Sequence, residues 1–279
     1  YFSDIPFPTV DSVTLAYPLY AADNDFENSN IIDGMGNDAF IGHIPSQAEF
    51  KHQQYMRRLG FIKEAIEPYN TSLIANHFLK TRVECSGLEG FPFRYVKKLN
   101  ANLTSVTSDW NHLDRELCQY DYIDLRAIVR GGIIDQEIFT RKVRNFALFT
   151  HSNIVLPWLD PKVARYFSQI PEKHLFDRKG LKNKLILRRL LKDRLGLNSD
   201  AIGKLGYSFD YWAVMLQLGS TVEDEILNCK LWNKEGARKL VGKLMKVAHS
   251  SSVVSNRAKA LIQRLFLVSI WYNKNKYIK

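Results

Sequence analysis

Beyond residue 45, apolar residues recur at intervals of three and four along most of the chain, a spacing that dictates a mainly helical body. Tyr55, Leu59, Ile62 and Ile66 form one such run, ended by Pro68, and a shorter helix is expected over Leu73–Lys80. Trp110, Leu113, Leu117 and Tyr120 form another, with Ser108 or Asp109 as its cap. Phe139, Val143, Phe146 and Ala147 form a third, for which Asp135 is the expected cap. The sharpest local signal is Leu156-Pro157-Trp158-Leu159-Asp160-Pro161. Asp160 reads as an N-cap and Pro161 as the first helical residue, where its missing N–H costs nothing. That helix is expected to reach Ile170 and to be closed by Pro171.

A basic amphipathic helix is expected over Leu181–Leu195, ended by Gly196, and three more near 221–229, 234–248 and 255–273. Gly87, Gly90 and Pro92 make residues 81–108 read as loops with room for a hairpin, and Gly131-Gly132 reads as a chain break. Strand signals are confined to the N-terminal region, where Asn30-Ile31-Ile32 feeds a glycine-rich turn. The chain therefore divides into residues 1–45, which carry that turn, and a helical portion, 46–279. It shows neither internal repeats nor low-complexity tracts.

With 279 residues, 46% of them hydrophobic, the chain can bury a substantial core. No apolar run approaches the roughly 18 residues of a spanning helix, and Tyr1 to Asp11 lack the pattern of a signal peptide. Cys85, Cys118 and Cys229 lie far apart, which excludes a disulfide framework or a cysteine zinc site. A soluble, cytoplasmic protein is expected, with no membrane contact. The net charge of +10 is spread along the chain without a nucleic-acid-binding signature. It suits an anionic small molecule better than nucleic acid, and plain solvation accounts for it as well.

Four stretches carry chemistry. In Gly34-Met35-Gly36-Asn37-Asp38, with Phe40 and Gly42 following, glycines let backbone approach phosphate and the carboxylate can hold a hard cation. The Leu156–Asp160 turn is the second. In Lys184-Leu185-Ile186-Leu187-Arg188 two cations four apart share a helix face, open to phosphate or simply to solvent. Lys204-Leu205-Gly206-Tyr207 places a lysine in a glycine-flanked loop, where it can meet charge developing in a transition state.

In this order, over about residues 30–215, the four stretches resemble the asparagine synthetase and β-lactam synthetase family, with its GxGxDxxFxG turn, PxLD helix start, KxxLR helix and lysine loop. The resemblance implies an α/β fold of the adenine-nucleotide α-hydrolase-like synthetase type, of which this portion is mainly α-helical with a few short strands. It implies ATP and Mg²⁺ as cofactors. Asp38 would be the metal ligand, Gly34 and Gly36 would line the phosphate pocket, Lys184 would contact phosphate, and Lys204 would be the catalytic lysine. The implied reaction adenylates a carboxylate and transfers it to an amine, releasing AMP and pyrophosphate.

The family's SGGxDS loop is not among these residues; Thr9-Val10-Asp11-Ser12 matches only its last letters. A second polypeptide or another segment is therefore expected to supply it. Met35 stands where the family places a Glu or Tyr, Ala39 follows Asp38 in place of Glu, and Val155 replaces an Arg. Aspartate-to-asparagine conversion is thus not implied. The alternative reading is a scaffold or binding protein that keeps the fold without catalysis.

Overall fold

The computed structural model describes residues 29–57, 62, 65, 66, 69, 72–87, 93–104, 106–203 and 210–274. In chain order these contain β1 (Asn30–Ile32), α1 (Asn37–Ile41), α2 (Gln47–Arg57), α3 (Leu73–Phe78), α4 (Arg82–Cys85) and α5 (Phe93–Leu99). Next come α6 (Thr107–Glu116), α7 (Tyr122–Val129), a π-helical stretch (Arg130–Thr140) and α8 (Arg141–Phe149). Then follow β2 (Asn153–Val155), a 3₁₀ turn (Pro157–Leu159), α9 (Pro161–Ser168), α10 (Glu172–Leu175), α11 (Leu185–Leu195) and α12 (Ser199–Ile202). The last are α13 (Tyr211–Leu218), α14 (Ser220–Leu227), α15 (Lys234–Ala248) and α16 (Ser255–Lys274). The protein is mainly helical, and no helix among the described residues is long and apolar enough to cross a membrane.

The described chain forms two compact units: residues 54–114 with 210–274, and residues 29–53 with 115–203. The first is a helical bundle. On α15 the buried residues Ala237, Leu240, Val241, Leu244 and Ala248 follow one helical stripe, which packs against Ala258, Leu261, Ile262 and Leu265 of α16. Asn233 caps α15 by accepting from the Gly236 N–H at 2.8 Å. A Cβ on Gly236 would stand 2.0 Å from the Lys98 carbonyl oxygen, so this glycine permits the close approach of α5 to α15.

Here the loop reading of 81–108 is corrected. Thr81 closes a capping box with Glu84 at the start of α4, and α5 forms because Tyr95 and Leu99, four apart, bury against the bundle. Tertiary burial overrides the Gly and Pro signals.

The second unit is organised by a two-stranded parallel sheet in which Asn30, Ile31 and Ile32 pair with Asn153, Ile154 and Val155. The Asp33 N–H donates to the Val155 carbonyl at 3.1 Å and carries the ladder one residue further. This pairing sets the glycine turn after β1 beside the Pro157–Leu159 turn after β2. Gly36 has φ +95°, and a Cβ there would lie 2.6 Å from Leu159 Cδ2. Phe40 and Trp158 both pack on Phe167 of α9, with ring centroids 5.8 and 5.3 Å away. The expected cap is present: Asp160 accepts from the Lys162 N–H at 2.7 Å with Pro161 in the first turn.

Two further expectations are corrected. Gly131-Gly132 does not break the chain, because helical backbone continues through it as the π-helix. Asp135 consequently lies inside that element and is not an N-cap. Lys184 is not inside α11 but precedes it as N-cap in the left-handed region, at φ 60° and ψ 33°. The helix expected over residues 50–66 is described only as α2, most of the remainder lying outside the described residues, as does Pro68.

Gly36→Ala should cost about 1–3 kcal/mol, from positive φ together with the Leu159 overlap. Gly34→Ala, whose Cβ would meet nothing within 4 Å, should stay within about 0.5 kcal/mol of the parent. Urea unfolding of the two variants measures the contrast.

Candidate functional site

A cleft of about 580 Å³ opens beside the glycine turn in the second unit. One wall is the turn itself, with Asp33, Gly34, Gly36, Asn37 and Asp38; the other comes from Arg126 of α7 and Arg130, Asp135 and Phe139 of the π-helix. The turn is held internally: the Met35 N–H donates to Asp33 Oδ1 at 2.7 Å, and Asn37 Nδ2 donates to the Gly34 carbonyl at 2.9 Å. Met35 lines the cleft as well.

The helical wall has a geometric cause. Arg126 and Arg130 are four apart and share a face at the end of α7. An α-helix would turn Asp135 away from that face, whereas the wider π-type turn brings residues five apart into line. Arg130, Asp135 and Phe139 therefore all reach the same cleft. The stretch accommodates Gly131-Gly132, which are poor α-helix formers.

Charge within the cleft is arranged in pairs. Arg126 grips Glu49 through Nε at 2.5 Å and a terminal nitrogen at 3.1 Å, and donates from its other terminal nitrogen to the His43 carbonyl at 2.6 Å. Tyr122 Oη donates to Glu49 at 3.0 Å. His43 Nε2 lies 2.7 Å from Asp135 Oδ2, with side chains only 5% and 14% exposed. Burial, and after it the neighbouring Arg126 charge, lower the pKa of Arg130 below its ordinary value; Asp135, Glu49 and Asp38 act in the opposite sense. A desolvated guanidinium in that state favours an anionic ligand.

Asp38 and Lys184 meet across the turn. Lys184 Nζ stands 2.9 Å from Asp38 Oδ1, close but poorly aligned for a hydrogen bond. The left-handed conformation of Lys184 costs on the order of 1 kcal/mol for a residue with a Cβ, and it sets the side chain beside α1. Asn37 Oδ1 is buried without a hydrogen-bond partner. Asp38 and Asn37 thus present oxygen donors of the kind hard cations take, although no group of three or more His, Cys, Asp or Glu side chains suits a metal among the described residues.

Of the expected site residues, Gly34, Gly36, Asp38 and Lys184 are brought together, while Lys204 lies outside the described residues. Lys184 and Arg188 line one hollow together, in keeping with the face expected to be shared by them. Arg188 donates to the Asn183 carbonyl at 2.7 Å and to Asp200 at 2.8 Å, so it braces the segment before α11. A second hollow, about 680 Å³, shares Asp38, Ile44 and Asn183 with the cleft; Pro45, Leu181, Leu187 and Leu191 give it an apolar side, and Lys184, Arg188 and Asp200 a charged one. Sequence reasoning missed His43, Arg126, Arg130 and the true place of Asp135. The available signal was Arg126 and Arg130 four apart, just before the glycine pair.

The N-terminus of α7 is anchored by Arg178, which donates to Asp121 and Asp124 at 2.7 Å each and to both oxygens of Glu172 at 2.7 and 2.8 Å. These bonds hold the Glu172 carboxyl below, and the Arg178 guanidinium above, its ordinary pKa.

Against protein-family models, curated proteins and solved structures, the chain has no significant match.

Replacing Arg178 by Gln should cost about 1 kcal/mol at neutral pH, charged hydrogen bonds being discounted for their exposure. A depressed carboxyl stabilises the fold above its unfolded pKa, and that gain is lost as pH falls through the folded value. The gap between parent and variant should therefore close below about pH 4, as measured by thermal unfolding across pH.

Proposed function

We propose that this chain carries the metal–phosphate part of an ATP-dependent amide-forming site. A carboxylate attacks the α-phosphorus of ATP, pyrophosphate leaves, and an amine then displaces AMP from the acyl carbon. The observation that carries the reading is the meeting of Asp38 and Lys184 at 2.9 Å in a polar cleft floored by the Gly36 turn. Free of ligand, the two charges neutralise each other. With substrate, the acid would turn to the cation and the ammonium to the phosphate, so neither charge is left uncompensated.

The donor set suits Mg²⁺. That ion keeps several waters and takes one or two carboxylates together with substrate phosphates, so it does not require an all-protein cage. Asp38 would hold it, and bound there it would neutralise charge building on the phosphates. Gly34 and Gly36 keep the backbone side of the cleft narrow. Lys204 would stabilise charge as pyrophosphate leaves or the amide forms. The apolar side of the hollow beside Asp38, formed by Pro45, Leu181, Leu187 and Leu191, would take the body of the acid or the amine.

A pyrophosphate-gripping loop from another segment or chain completes the reading. It is supported by the open parallel pair: Ile32 is 75% and Val155 47% exposed on one face, whereas parallel strands ordinarily sit covered within larger sheets. Met35 in the cleft favours a second reading, a scaffold with the fold but no turnover.

Calorimetry with Mg-ATP tests the metal–phosphate role of Asp38 and Lys184, and release of pyrophosphate separates turnover from a scaffold. Asp38→Asn should weaken binding roughly tenfold, about 1.4 kcal/mol, and abolish its Mg²⁺ dependence, while Lys184→Met should weaken it similarly and leave that dependence in place. Unchanged affinity in both variants would leave the turn a structural feature only.

A further inference from the structure

We infer that His43, oriented by Asp135, is the proton acceptor of this cleft. The inference rests on the amide-forming reading, since it supplies the acid/base function absent at Met35. Of the cleft's side chains, imidazole is the type that takes and releases protons most readily near neutral pH. His43 has the arrangement such a base needs. Its Nε2 is 2.7 Å from a largely buried carboxylate, which leaves Nδ1 as the nitrogen available to a ligand. The contact with Asp135 is close but not collinear, and catalytic hydrogen bonds commonly tighten only once substrate is bound.

The backbone of His43 is positioned independently, by the Arg126 hydrogen bond to its carbonyl and the Glu49 clamp on Arg126. The charged groups around the imidazole are therefore Asp135, Arg126, Arg130 and, through Arg126, Glu49.

In the second half-reaction the amine nitrogen closes its lone pair on the acyl carbon. One N–H proton passes to His43 Nδ1, and the bond from that carbon to the phosphate oxygen breaks, its electron pair leaving with AMP. Asp135 stabilises the imidazolium, and the proton then returns to solvent.

Diethyl pyrocarbonate acylates unprotonated imidazole nitrogens that it can reach, and His43, with its side chain 5% exposed, is reached only through the cleft that it lines. The test is its reaction with the whole folded protein, mapped by peptide mass spectrometry with and without Mg-ATP. His43 should be modified, and Mg-ATP should block the modification. The assignment is checked with His43→Gln, in which the modified peptide is lost, and Asp135→Asn should slow the reaction roughly tenfold through loss of the orienting carboxylate. If His43 stays unmodified while other histidines react, the inference is overturned, and the parent protein alone decides this even if a variant fails to fold. If His43 reacts but Mg-ATP gives no protection, the reactive imidazole stands and the nucleotide reading of the cleft fails. An Asp135→Asn variant that folds and reacts at the parent rate removes Asp135 from the role.

Discussion

Six residues in two short strands hold the second unit's chemistry together. Pairing Asn30–Ile32 with Asn153–Val155 in parallel joins segments more than a hundred residues apart in sequence, and closing so long a loop is entropically costly. The turns that follow the strands share that cost. The glycine turn packs on Leu159 of the second turn, so Gly36 is required both for its backbone conformation and for the space it leaves. Phe40, Trp158 and Phe167 then fill the region beside α9. A slip of one residue in the pairing would exchange the two faces of each strand and move Asp38 away from Lys184.

Once the turn is placed, charge governs the cleft. Buried charge is tolerated only where it is paired, and the wall obeys this with Glu49 on Arg126 and Asp135 beside His43, while the half-exposed Asp38 and Lys184 meet at the opening. The pairs differ in how firmly they are held. Arg126 is bound at three points and belongs to the scaffold, as does Arg178 at the other end of α7. The Asp38–Lys184 and His43–Asp135 contacts are short but poorly aligned for a hydrogen bond. The π-helix serves this arrangement by turning Arg130 and Asp135 to the same side.

Much of the helical body was legible because its burial follows the same period as its sequence. The helix near 234–248 is read from spacing and is α15, and the Asp160-Pro161 start is read from capping chemistry. Three features were not legible, each for a physical reason. Helix α5 depends on burial of Tyr95 and Leu99 against a partner helix distant in sequence. The π-helix is hidden because a Gly-Gly pair signals a break by propensity, and only the packed wall selects the wider turn. Lys184 adopts a left-handed conformation that no pattern of L-residues announces. In the site, Gly34, Gly36, Asp38 and Lys184 were readable as linear motifs. His43 and Asp135 form their pair only in space.

The central claim is that the Asp38–Lys184 contact is a charge pair waiting for a metal-bound polyphosphate. Its most direct test is a crystal structure with Mg²⁺ and an ATP analogue bearing a methylene bridge between the α- and β-phosphorus, obtained from the chain with any polypeptide that copurifies. The account predicts the metal on Asp38, phosphate oxygens at Lys184 and the 2.9 Å contact opened. A nucleotide bound elsewhere, with Asp38 and Lys184 still in contact, would contradict it.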